Sequence, residues 1–221
     1  MPDPSVRHVS LPPKGLTGDL RAPEAPAALV VFAHGSGSSR LSVRNVAVAE
    51  RFGSAGIATL LFDLLTEDEA ADRRNVFDIP LLASRLVEAV GWAGTEHGLS
   101  ALPLGLFGAS TGAAAALVAA ATLDTRVGAV VSRGGRPDLA GEALQQVRAP
   151  TLLIVGGADV EVLELNRWAL ERLGGIKALE VIPGATHLFP EPGALETAAD
   201  LAIGWCRRHL GRTAPLQELP P

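Results

Sequence analysis

The chain has 221 residues, enough for one domain with a well-buried core and too few for two full ones. Its 48% hydrophobic and 19% charged composition is globular, and a net charge of −5 with no basic surplus argues against a nucleic-acid partner. One cysteine, Cys206, excludes an internal disulfide; no apolar run approaches membrane-spanning length and no leader pattern is evident, so a soluble, cytoplasmic protein is expected.

In chain order, the Pro-rich ends, 1–5 and about 213–221, read as loose termini of a single domain. Residues 6–10 and 16–22, split by Pro12-Pro13 and Gly15, suit an antiparallel pair at a sheet edge. Residues 28–33 form a continuous apolar run, as a strand covered on both faces requires, and end in His34-Gly35-Ser36-Gly37-Ser38-Ser39-Arg40. A helix follows over 41–55, with Val43, Val46, Ala47 and Phe52 near helical spacing and Gly56 as its stop. Residues 57–62 are the next buried strand, ending at Asp63, and the acidic stretch 64–77 is a loop with room for a helical turn. Asp78 caps a helix with Pro80 in its first turn, running to about 97. A strand over 102–107 leads into Gly108-Ala109-Ser110-Thr111-Gly112 and an Ala-rich helix to 123. Further strands are expected at 127–132, 151–155 and 176–182, with a short helical piece to 147 and helices over 160–173 and 193–210. The alternation gives an α/β fold: a mostly parallel sheet, helices on both faces, and right-handed crossovers.

Ligand chemistry in such sheets collects beyond the carboxyl ends of the strands. The residues there are His34-Gly35-Ser36, Asp63, Ser110, Ser132-Arg133, Asp159 and His187. Gly-x-Ser-x-Gly between a strand and a helix is the pattern of a nucleophile elbow, in which a sharp turn thrusts the serine above the sheet. A serine hydroxyl needs a base, and the base needs a carboxylate on its far nitrogen to hold the productive tautomer. Ser110 is therefore read as nucleophile, His187 as base and acid, and Asp159 as the orienting carboxylate, ahead of its rivals Asp63 and Asp138. Backbone N–H groups of Thr111 and Ser36 are the expected oxyanion donors. His8, His97 and His209 read as surface or structural, and Cys206 as a buried, inert thiol. The Gly35–Ser39 loop lacks both a P-loop ending and the spacing of a dinucleotide fingerprint, and no cluster has metal-ligand spacing, so no cofactor or metal is expected. Arg40, Arg44, Arg133 and Arg136 lie near strand ends. They could clamp a substrate carboxylate, but ion pairs with Asp63, Glu67 or Asp138 are the preferred reading.

The order Ser, Asp, His, together with Val31-Phe32-Ala33-His34-Gly35-Ser36, the elbow, Pro150 to Asp159 and Pro183-Gly184-Ala185-Thr186-His187, resembles the α/β-hydrolases. Among them the chain is similar to the dienelactone hydrolase group of small, single-domain enzymes. The resemblance implies cofactor-free hydrolysis of small-molecule esters, lactones or related acyl compounds. It departs at the elbow, where dienelactone hydrolases carry cysteine and this chain has Ser110, which shifts the implied activity to a serine carboxylesterase. Only 133–149 separates two strands where a lid is normally inserted, so little or no cap and short or exposed acyl groups are expected. A noncatalytic module on this fold, and thioester, acyl-transfer or peptidase chemistry with the same triad, are the alternatives.

Overall fold

The computed structural model describes residues 5–211; the two termini read as loose lie outside the described residues, apart from Ser5, which begins the first strand. Eight strands, β1 (Ser5–Leu11), β2 (Leu16–Ala22), β3 (Leu29–Ala33), β4 (Ala58–Phe62), β5 (Leu104–Ala109), β6 (Ala129–Arg133), β7 (Thr151–Gly156) and β8 (Lys177–Ile182), form one sheet. Their order is β1-β2-β4-β3-β5-β6-β7-β8. β1 and β2 are antiparallel to each other, and β2 to β4; every other pairing is parallel. The continuous apolar runs lie in the middle because those strands are buried throughout, whereas the edge strand β8 is exposed or half-buried until its last residue, Ile182.

Two cores flank the sheet. On one face, α1 (Val43–Ser54) and α7 (Ala194–Leu210) cover a cluster that includes the stacked Phe32 and Phe107 rings, 4.5 Å apart, with Phe52 edge-on to both. On the other face lie α4 (Ile79–Ala93), α5 (Thr111–Leu123), α6 (Val160–Arg172) and a 3₁₀ segment (Pro137–Gln146) kinked at Gly141. Helix α5 is buried nearly all round, and its alanines allow close approach to the sheet and to α4.

Three expectations are adjusted. The acidic stretch holds two short helices, α2 (Glu67–Ala71) and α3 (Arg73–Val76), and α2 starts with a capping box between Thr66 and Glu69. Helix α4 stops at Ala93, with Gly94 as its C-cap, rather than reaching 97. In α1 the core face is Asn45, Val48, Ala49, Phe52 and Gly53, while Val43 is exposed. A β-branched residue in a first turn carries weak facing information, and the buried Asn45 has a reason given by the site. Between β6 and β7 the chain makes only the 3₁₀ segment and inserts no cap among the described residues. No helix there is long and apolar enough to cross a membrane.

Candidate active site

The centre of the site is the junction of β5 and α5. Ser110 occupies φ 52°, ψ −124°, a region that a side-chain-bearing residue adopts only where its surroundings enforce it. The enforcement is visible. Ser110 N–H donates to the Arg133 carbonyl at 3.3 Å, and the Ser110 carbonyl accepts from Arg136 N–H at 3.0 Å. The end of β6 and the loop after it thus hold the strained residue on both sides. The glycines on either side permit the turn: a Cβ on Gly108 would stand 2.4 Å from Ala113 Cα, and one on Gly112 would stand 2.3 Å from the Ala33 carbonyl oxygen.

His187 reaches the same place from the loop after β8. Its Nδ1 lies 2.7 Å from Asp159 Oδ2, and its Nε2 lies 3.3 Å from Ser110 Oγ. With the proton on Nδ1 donated to the carboxylate, Nε2 is left as the acceptor facing the hydroxyl. The loop is fixed by Phe189, buried at φ 55°, and by Glu191, which accepts from Thr186 N–H and Oγ1. Leu188, between His187 and Phe189, is exposed at the rim of the cleft. Asp159 follows β7 directly, whereas its two rivals are engaged elsewhere: Asp63 with Arg40 and Asp138 with Arg136.

The expected oxyanion donors differ from each other. Thr111 opens α5, so its N–H has no carbonyl one turn back within the helix. Ser36 N–H, in contrast, donates to Thr111 Oγ1 at 2.8 Å. The two expected donors are neighbours, but one is already engaged. His34 supports this loop: its Nε2 accepts from Leu64 N–H at 3.1 Å, which puts its proton on Nδ1, 3.0 Å from the Gly35 carbonyl. Burial lowers the His34 pKa from its ordinary 6.5, although the Gly35 carbonyl and Asp63 both act to raise it.

The arginines divide. Arg40 pairs with Asp63 at 2.5 Å and Arg136 makes a two-pronged pair with Asp138, so these two have the structural role preferred above. Arg133 is 7% exposed, donates from Nη2 to Asn45 Oδ1 at 3.0 Å, and lies 5.7 Å from the Phe107 ring centroid. It has no ion pair among the described residues; burial, then the Arg44 cation, lowers its pKa to about 10. Both arginines line a cleft of about 260 Å³ that also exposes Ser110 and His187. Asn45 was missed in the sequence; a polar residue on an otherwise apolar helix face was the signal. Asn166 was missed as well: fully buried in α6, it donates to the Gly135 carbonyl at 2.9 Å and steadies the loop that holds Ser110. Cys206 is buried in α7, and burial raises its thiol pKa to about 12.

A solved dienelactone hydrolase from Anabaena variabilis is 52% identical to this chain, with a TM-score of 0.91 over 95% of this chain and 100% of that one. The chain belongs to the dienelactone hydrolase group of the α/β-hydrolases. Est1E from Butyrivibrio proteoclasticus shares the fold at 17% identity, with a TM-score of 0.77 over 92% of this chain and 98% of that one. Proteins of two Mycobacterium tuberculosis strains, H37Rv and CDC 1551, provisionally named as phosphoribosyl transferases, are 58% identical over 96% of this chain. This member of the group spans about half their length, 49%. No protein-family model matches the chain.

Proposed function

We propose that this α/β-hydrolase is a serine hydrolase that cleaves small carboxylic esters or lactones through an acyl-enzyme. The observation that carries the reading is the array of Ser110 Oγ, His187 Nε2 at 3.3 Å and Asp159 Oδ2 at 2.7 Å from Nδ1, built on a serine held at positive φ. Ser110 Oγ attacks the carbonyl carbon as its proton passes to His187 Nε2. The imidazolium is stabilised by Asp159 and then protonates the departing alkoxide. A water deprotonated at Nε2 attacks the acyl group and releases Ser110. Negative charge on the carbonyl oxygen falls to the N–H of Thr111 at the positive end of α5, and to Ser36 N–H, which the substrate oxygen shares with Thr111 Oγ1. The 3.3 Å approach is long for a hydrogen bond from a hydroxyl and suits a free enzyme whose contacts tighten on substrate.

A panel of p-nitrophenyl esters of increasing acyl length tests the reading: turnover is expected for the short members, and Ser110→Ala is expected to lower it by ~10⁴-fold or more. No turnover by folded protein, or full activity in that variant, would count decisively against it.

A second reading, phosphoribosyl transfer, draws on the provisional name of the Mycobacterium tuberculosis relatives. Because the chain spans about half of those proteins, the hydrolase reading expects no pyrophosphate release when the chain is given a phosphoribosyl donor and an acceptor base. Pyrophosphate released in step with a new glycosidic bond would favour transfer instead.

A further inference from the structure

The cleft at Ser110 has a charge imbalance that the hydrolytic array does not use. Its lining includes Arg133 and Arg44, and no carboxylate among the described residues. Arg133 ends β6 in register with Ala109, beside the nucleophile, and is more than nine-tenths buried. Its Nη2 has only the neutral Asn45 Oδ1, and its Nη1 has no hydrogen-bond partner. A guanidinium in this setting has lost its water without gaining a counter-charge. Arg40 and Arg136, on neighbouring loops, both have carboxylates. Ser42, Arg44 and Asn45 belong to the cap and first turn of α1, so the positive end of that 12-residue helix opens on the same cleft. A cation at a helix N-terminus is disfavoured by the dipole unless an anion joins it.

The imbalance has a size. Two fixed cations and a helix N-terminus match a dianion better than a monoanion, and the serine hydroxyls of Ser38 and Ser42 add donors suited to several oxygens. We propose that this cleft receives a phosphate monoester on the substrate, held by Arg133, Arg44 and the first turn of α1 while the scissile carbonyl lies at Ser110. The natural substrates are then phosphorylated esters or lactones. This assignment deepens the hydrolase reading and rests on it.

The test has a binding arm and a turnover arm. In the first, inorganic phosphate is titrated into the Ser110→Ala chain at constant ionic strength by calorimetry, alone and with Arg44→Met or Arg133→Met added. Each added substitution is expected to weaken phosphate binding by tenfold or more. Absent binding, or equal binding in all three, overturns the site. Arg44 is partly exposed, so its variant keeps the question open to measurement if Arg133→Met does not fold. In the second arm, kcat/KM is compared for one ester scaffold bearing a phosphate, a carboxylate or a hydroxymethyl group at the same position. The phosphate ester is expected to exceed the neutral one by 10- to 100-fold, with the ratio falling toward one in Arg44→Met. A larger preference for the carboxylate, or no preference, overturns the proposal. Phosphate binding that depends on both arginines, with none of the three esters cleaved, would sustain the anion site and overturn the hydrolase reading instead.

Discussion

At the scale of single residues, Ser110 is held by its neighbours rather than by its own preference. Its N–H is taken by the last residue of β6 and its carbonyl by the loop that follows, and the close walls at Gly108 and Gly112 leave no room for a methyl group. Gly112→Ala is therefore expected to cost about 3 kcal/mol, read as a lower urea midpoint, and to lower ester turnover, because the obstructing atoms are backbone oxygens that cannot move aside. Asp159→Asn keeps the shape but reverses the preferred His187 tautomer. A fall in kcat of ~10³-fold or more is expected, and an unchanged kcat would remove Asp159 from the mechanism. The elbow, His187 and Asp159 were legible in the sequence because each follows a strand end, and strand ends share one rim. The engagement of Ser36 N–H by Thr111 Oγ1 was not legible, since a 2.8 Å contact between a loop and a helix start 75 residues apart depends on a side-chain rotamer that spacing does not encode.

At the scale of elements, the site is carried by β3, β5, β6, β7 and β8 and the loops they feed. The loop after β6 acts as the brace. Asn166, from the middle of α6, fixes that brace through the Gly135 carbonyl. Replacing it with leucine leaves a buried carbonyl without its donor, so Asn166→Leu is expected to cost ~2 kcal/mol in urea unfolding and to reduce turnover. Unchanged stability together with unchanged turnover would show that the brace does not need this bond. The continuous apolar runs made the strands readable to within two residues. The facing of α1 was harder. Its first turn turns a polar face, Ser42, Arg44 and Asn45, toward the cleft, so apolar spacing alone assigned Val43 to the wrong side. Likewise the ion pairs of Arg40 and Arg136 lie within a short reach of their acids, whereas Arg133 extends into the space beneath α1 and away from any carboxylate.

At the scale of the molecule, two cores clamp one sheet, and the candidate site lies where the strand order reverses between β3 and β5. The His34 loop at that point couples the whole molecule to pH. Burial lowers the folded pKa of His34 from 6.5, so below about that pH the unfolded chain takes up a proton that the folded chain refuses. This contribution is absent above 6.5 and destabilises the fold progressively as pH falls. The urea midpoint is expected to drop between pH 7.5 and pH 5 less steeply in His34→Gln than in the parent chain; identical slopes would assign the acid sensitivity elsewhere. The central claim is that Ser110 is the nucleophile of an ester hydrolase. It is tested most directly by treating the folded chain with a fluorophosphonate and locating the adduct by peptide mass spectrometry. A stoichiometric adduct on Ser110, lost in His187→Ala, is the expected result; an unmodified Ser110, or modification of another serine at the same rate, would contradict the account.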